Sequence, residues 1–316
     1  MVVDLLFVVA GLALLVRAAD RFVVAAARIA DAANVPPIVI GAALIGFGTS
    51  LPEMLVSGLA SSQGEPELAI GNIVGSNLAN LTLVLGAASL LVPPAVVPRV
   101  LKREAPIALL AAVVFAVLVQ NGLTRPEGVV LAAGLGVALW LILRASEGES
   151  EAVALLEEVK ELEHVEGAIS IPRELLIGLV GLIGTLAGAQ LLVHGATDIA
   201  EELGLSGGFI GLTLVAVGTS LPELVTGIQS VRRGEESLLI GNVLGSNVFN
   251  SFAVGGITAL VAPAAVTDAS LVVTATGLMV GVAVLATIFL ATGPRITRLK
   301  GGVLLAVYFL SLPFLA

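Results

Sequence analysis

Apolar runs follow one another along almost the whole chain, separated by short polar stretches. Runs of this length predict membrane-spanning helices. Ten are predicted, over residues 4–32, 38–61, 68–91, 105–120, 128–144, 174–200, 208–230, 238–261, 270–292 and 302–316. The first and sixth are longer than an upright crossing needs, which implies tilt or extension past the bilayer, and the tenth is short. The run that starts at Val2 is read as a retained spanning helix and not a signal peptide, since no basic stretch precedes it and no small-residue cleavage site follows it.

Two of the runs carry polar residues that hydrocarbon penalises, and they carry them twice. GFGTSLPEMLVSG (46–58) and GNIVGSNLAN (71–80) return as AVGTSLPELVTG (216–227) and GNVLGSNVFN (241–250), each 170 positions on. The same offset maps Gly11 onto Gly181, Arg28 onto Asp198 and Pro93 onto Pro263, so the repeat covers spans one to five and six to ten. Five crossings are an odd number, so the second copy enters the membrane from the opposite side. The expected fold is an all-α polytopic membrane protein, ten transmembrane helices as two inverted five-helix repeats. Its parts are a first repeat over 1–144, an acidic linker over 145–173 and a second repeat over 174–316.

Composition agrees: 57% of residues are hydrophobic and mean hydropathy is +1.08, where a soluble domain has roughly 45–50% apolar residues. With the N-terminus placed outside, twelve of the fifteen basic residues fall in inner connections and only Arg125 in an outer one, the asymmetry that the positive-inside rule requires. Both termini are then outside and the linker is cytoplasmic. The net charge of −9 comes largely from that linker, which holds eight glutamates. Val153, Leu156, Val159, Leu162 and Val165 recur within it at three-residue spacing, so part of it is predicted as an amphipathic helix. It has no DxDxDG-type calcium loop and reads as a solvated tether. Without cysteine, no disulfide or thiolate metal site is possible, and two histidines exclude a histidine-rich zinc site. Nothing points to a nucleic-acid partner.

The repeated motifs carry the chemistry. Pro52 has no N–H and its ring crowds the carbonyl four residues back, at Gly48. The helix must loosen there, and carbonyls between Gly46 and Thr49 lose partners and can face a cation. Glu53 follows the break, at the positive end of the next helical segment. Gly218, Pro222 and Glu223 repeat the arrangement. A proline kink with an incidental glutamate is the plainer reading, but a mid-membrane glutamate is costly, and two at matching positions argue against accident. In the second motif Gly71 and Gly75, like Gly241 and Gly245, permit close helix packing. Asn72, Ser76 and Asn80 share one helical face. Serine and asparagine in membrane helices commonly make interhelical hydrogen bonds. The neighbouring glutamates favour a ligand role for Ser76, Asn80, Ser246 and Asn250, whereas Asn72, Asn77, Asn242 and Asn247 stay nearer the structural reading. All of these are hard oxygen donors, suited to Ca2+ and Na+ and poorly suited to Zn2+ or copper. Two glutamates neutralise one Ca2+. Of the remaining ionisable groups, Arg17, Asp20 and Arg21 read as paired or snorkelling, His194 as packed or hydrogen-bonded, and Glu104 and Glu127 as lying near water at span ends.

With these residues in view, the chain resembles the cation/calcium exchanger superfamily, and most closely its prokaryotic sodium/calcium exchangers. GTSLPE followed by GSNxxN, twice, matches the family's two alpha-repeats, and the likeness covers all ten spans. The resemblance implies exchange of three Na+ for one Ca2+ by alternating access, with spans one and six sliding across a core made of the other eight. It implies that Glu53 and Glu223 are shared by Ca2+ and Na+. Backbone carbonyls of Gly46, Thr49, Ala216 and Thr219 would line the site, with the hydroxyls of Ser76 and Ser246 and the side chains of Asn80 and Asn250. Potassium-dependent relatives and some prokaryotic members carry aspartate at the position of Asn250. Asparagine here is more like the potassium-independent branch. The expected setting is the plasma membrane, with Ca2+ and Na+ as substrates, no resident cofactor, the lipid bilayer as partner, and a functional monomer. H+-coupled Ca2+ exchange is the runner-up, since protons could replace Na+ on the glutamates. An intramembrane hydrolase lacks a nucleophile and base in the motifs, and a passive channel fits inverted repeats with broken helices less well.

Overall fold

The computed structural model describes residues 2–32, 49–98, 100–120, 122–144, 170–233 and 236–314. These residues form helices almost throughout: α1 (Val2–Ala32), α2 (Thr49–Ser62), α3 (Pro66–Leu91), α4 (100–118), α5 (125–144), α6 (Ile171–Leu203), α7 (207–233), α8 (236–261), α9 (Ser270–Ala291) and α10 (Arg298–Ser311). Seven of them contain stretches long and apolar enough to cross a membrane. The first half of the second expected span, Gly46 included, and linker residues 145–169 lie outside the described residues.

Helix ends follow local chemistry. Gly64 (φ +90°) and Gly204 (φ +64°) end α2 and α6 in the left-handed region that a side chain resists. The Ser206 hydroxyl accepts from the Phe209 N–H at the start of α7 (3.1 Å). α4 begins at Val100, not at 105, so Glu104 lies a turn inside the helix beside Arg103 (3.7 Å). Their side chains are only 11% and 12% exposed, a drier place than the sequence suggested. α6 begins at Ile171 and extends to Leu203, longer at both ends than expected.

The inverted repeat is visible in the packing of α1 against its counterpart α6. Gly11 lies against Gly188 and Leu192, Gly181 against Ala18 and Phe22, and Gly195 against Asp4. The numbers rise on one helix as they fall on the other, so equivalent helices run antiparallel. Their glycines let the backbones approach: a Cβ on Gly188 would lie 2.6 Å from the Leu15 nitrogen. Arg28 and Glu174 pair at one end of the contact (3.3 Å), a carboxylate whose side chain is 6% exposed. The loops obey the same alternation. Val96 N–H donates to Pro294 O and Ile296 N–H to Pro94 O, joining the loops after α3 and α9. Leu123 and Ala264 exchange both bonds between the loops after α4 and α8. Each pair of loops must share a side of the membrane if every helix crosses once, and each does.

The backbone repeats its irregularities too. Asn80–Val84 and Asn250–Val254 are π-type turns in which the N–H of Leu85 reaches Asn80 O and that of Gly255 reaches Asn250 O, five residues back. Val100–Glu104 and Ser270–Ala275 form a second such pair, again 170 positions apart at their starts. α3 and α8, which carry the GSNxxN motifs, are the most enclosed spans, with 94% and 83% of their windows buried. Apolar packing divides in two. One cluster joins α3–α5 to α8–α10, and a smaller one sets α1 and α6 against α2, the start of α3 and the first half of α7.

Gly71 and Gly75 bring α3 onto α7: a Cβ on either would lie 2.3 Å from a backbone oxygen, of Gly208 or Leu212. Gly75→Ala is therefore expected to cost about 1–3 kcal/mol through forced backbone movement. Gly136→Ala, whose methyl would meet no described atom within 4 Å, should be neutral. Thermal unfolding of the two variants in detergent measures the difference, and equal midpoints would contradict the tight contact of α3 on α7.

Candidate functional site

The two motifs of each half meet at the centre of the molecule. Glu53 lies in the first described turn and a half of α2, where Pro52 sits without needing an N–H partner. In the second half the break is explicit. The helix turns at Ser220 (φ −84°, ψ 7°), restarts at Leu221, and holds Glu223 in its first turn, where helix dipoles favour a negative charge. Pro222 removes a donor, as expected. The Ala216 carbonyl is nonetheless not stripped: it accepts the Ser220 N–H (3.0 Å) in the ordinary helical register, since the donor that Pro222 lacks would have served Gly218. The Thr219 hydroxyl also lies within hydrogen-bond distance of the same oxygen (3.2 Å). Gly46 lies outside the described residues, and so does the side chain of Thr49.

Glu53 and Glu223 are both fully buried and interact electrostatically. Ser220 Oγ, from the opposite half, donates to Glu53 Oε1 (3.4 Å), while Glu53 Oε2 is buried without a hydrogen-bond partner. Ser76, Asn80, Thr219, Ser246 and Asn250 are buried around them. The Ser76 hydroxyl, Asn80 Oδ1 and both amide atoms of Asn250 are buried without a hydrogen-bond partner. Interiors rarely leave so many polar atoms unmatched, and each such atom calls for an explanation. Here they are oxygen-rich and come from the same repeated motifs as the two carboxylates, the donor types of a hard cation. Among the described residues there is no cluster of three or more His, Cys, Asp or Glu, so neutral oxygens would have to complete any coordination.

Two residues matter more here than the sequence suggested. Ser50 and Ser220 stand three positions before the glutamates and therefore on the same helical face. Ser50 is buried with its hydroxyl unmatched, and Ser220 reaches across to Glu53. Asn72 ties the halves together: its Nδ2 donates to Ser57 Oγ (2.9 Å), and its Oδ1 lies 3.2 Å from the Thr219 hydroxyl. The three-residue spacing inside GTSLPE was the available signal for the serines. Asn72, read from the sequence as a structural residue of its helix face, makes the interhelical bonds expected of it, with partners from α2 and α7. His194 is not packed away: its side chain is 56% exposed, 3.5 Å from Asp198, with its ring tilted 34° to that of Phe7.

Comparison with known proteins gives concordant matches. The family model described as sodium/calcium exchanger protein matches residues 3–144 and 174–316. The sodium/calcium exchanger MaX1 of Methanosarcina acetivorans is 34% identical over 97% of this chain and 96% of its own. The inner membrane protein YrbG of Escherichia coli is 38% identical over 81% and 79%. Among solved structures, the sodium-calcium exchanger NCX_Mj soaked with Na+ and Sr2+ superposes with a TM-score of 0.65 at 32% identity, covering 99% of this chain and 98% of that one.

A ligand that binds only the folded state stabilises it by mass action, about 2.7 kcal/mol at a hundred times its dissociation constant. Ca2+ is expected to raise the unfolding midpoint of the detergent-solubilised protein, and Glu53→Gln, nearly the same shape without the charge, to remove most of that rise. A Ca2+-dependent shift of full size in Glu53→Gln would detach the carboxylate from the cation.

Proposed function

Because the chain belongs to the sodium/calcium exchanger protein family, we propose that it is a secondary antiporter that exchanges Na+ for Ca2+, three for one, by alternating access. The observation that carries this reading is the pair of fully buried glutamates, one from each inverted half, that interact electrostatically while several buried neutral oxygens of the same motifs are left unmatched. In a low dielectric two carboxylates repel strongly and are stable together only with compensating positive charge. One Ca2+ cancels both. Na+ ions can occupy the same oxygens, and three of them leave one positive charge in excess, so the cycle moves charge.

The assignment of ligands follows the same logic. Glu53 and Glu223 hold either ion. Thr49, Ser76, Asn80, Thr219, Ser246 and Asn250 supply neutral oxygens, together with the carbonyls of Gly46 and Ala216. Pro222 removes a donor beside the break at Ser220, whereas Pro52 lies inside α2 three residues after its first described residue. Alternating access needs a part that moves as a unit. The α1–α6 pair suits this, being closely packed within itself and meeting α2, α3 and α7 through an apolar cluster separate from the main core. The exchanger works as a monomer in the plasma membrane, with both termini outside and the acidic stretch tethering the halves on the cytoplasmic side.

Reconstitution in sealed vesicles tests the coupling ion. An outward Na+ gradient is expected to drive uptake of radiolabelled Ca2+, faster when the vesicle interior is positive, because three Na+ leaving for one Ca2+ entering carries one net positive charge outward. A proton gradient in Na+-free buffer should drive none. Uptake driven by the proton gradient alone would replace Na+ coupling with H+ coupling, and uptake indifferent to potential would remove the three-to-one ratio. Loss of one member of a buried charge set costs about 3–5 kcal/mol, so Glu223→Gln should lower Ca2+ flux by two orders of magnitude or more while the protein still elutes as a monodisperse species.

A further inference from the structure

Asn77 and Asn247 are equivalent by the repeat, yet the structure uses them differently. Asn247 Nδ2 donates to the Asn77 backbone carbonyl (3.2 Å). A carbonyl oxygen can only accept, so this bond fixes which end of the Asn247 amide faces which way. Asn247 Oδ1 is thereby turned to Asn80, and Asn80 Nδ2 donates to it (3.1 Å). The Asn80 amide is fixed in turn. Its nitrogen is committed to Asn247 and its oxygen, buried and without a hydrogen-bond partner, is the end left for the site.

The mirror-image relay is not formed. Asn77 Nδ2 donates to Ile73 O within its own helix (2.9 Å), and Asn77 Oδ1 accepts from Ser251 Oγ (3.5 Å). Both amide atoms of Asn250, the counterpart of Asn80, are left without a hydrogen-bond partner. Of two amides related by the repeat, one is held in a single orientation and the other is free to rotate.

We propose that Asn247 is a positioning residue of the ion site: through a backbone-anchored hydrogen bond it holds the Asn80 amide with its oxygen toward the cation. Asn250 has no equivalent clamp and serves as the adaptable ligand. The physical gain is pre-organisation. An unclamped amide presents its NH2 end, repulsive to a cation, in part of its orientations, and that must be reversed on binding. A fixed ligand on one side and an adjustable one on the other lets a single site accept one divalent ion or monovalent ions of different number.

This inference rests on Asn80 being an ion ligand, and the experiment separates the two ideas. Initial Ca2+ uptake is measured in vesicles against external Ca2+ for wild type, Asn80→Ala, Asn247→Ala, Asn247→Ser, Asn77→Ala, Asn80→Asp and the double variant Asn80→Asp with Asn247→Ala. Asn247→Ala is expected to raise KM for Ca2+ about five- to ten-fold, the worth of one lost buried hydrogen bond, with the maximal rate changed much less. Asn247→Ser keeps an acceptor and should recover part of the loss. In the Asn80→Asp background both ends of the side chain are oxygens and neither can donate to Asn247 Oδ1, so Asn247→Ala should no longer raise KM and should instead leave it unchanged or lower it, a non-additivity that mere packing does not produce. Asn77→Ala should leave KM near wild type. Equal KM shifts from Asn247→Ala in both backgrounds, or from Asn77→Ala and Asn247→Ala, would overturn the positioning role. A full effect of Asn80→Ala with none of Asn247→Ala would overturn it while sparing the site. A wild-type KM in Asn80→Ala would instead overturn the site reading on which it stands.

Discussion

Two carboxylates buried inside a membrane-spanning bundle are the constraint from which the rest of this protein follows. Neither Glu53 nor Glu223 has exposed surface, and they sit close enough to act on one another. Such a pair is unfavourable by itself and favourable around positive charge. The fold must therefore deliver both groups to one place, exclude lipid from them, and supply neutral oxygens in numbers that a pair of side chains cannot. It does so by building the site from two halves that approach from opposite faces.

Regular helix is poorly suited to that task, because it consumes its own backbone polar groups. The chain departs from it where the site lies. The helix breaks at Ser220 beside Pro222, and π-type turns begin at Asn80 and Asn250, the residues that close the GSNxxN motifs. Such turns widen the helix and re-aim side chains. Glycine supplies the other condition, close approach. Gly71 and Gly75 bring α3 against α7, and Gly11, Gly181, Gly188 and Gly195 bring α1 against α6. The two uses are complementary: one set of contacts makes the core around the site dense, and the other joins the α1–α6 pair along an antiparallel seam of its own.

Inverted repeats make two half-sites equivalent in sequence without making them equivalent in bonding. Asn72 is matched by Ser57 and Thr219, and Ser57 has Gly227 as its counterpart, which offers no hydroxyl. Asn247 and Asn77 spend their amides on different partners.

How much was legible beforehand follows from the range of each interaction. Ten spans, the 170-residue repeat, its odd number of crossings and the two glutamates are properties of the chain read in order. Hydrophobicity and motif identity are local, and a charge inside an apolar run announces itself. The start of α4 at Val100, the partnered Ala216 carbonyl and the length of α6 were misjudged, because helix ends and turn registers depend on hydrogen bonds that composition does not encode. The contact of Ser220 with Glu53, the tie from Asn72 to Thr219 and the relay from Asn77 through Asn247 to Asn80 join residues 147 to 170 positions apart. Sequence named the residue types able to bind a cation. Only the packing of one inverted half against the other decided which oxygens are left unmatched, because a donor finds its acceptor in space and not along the chain.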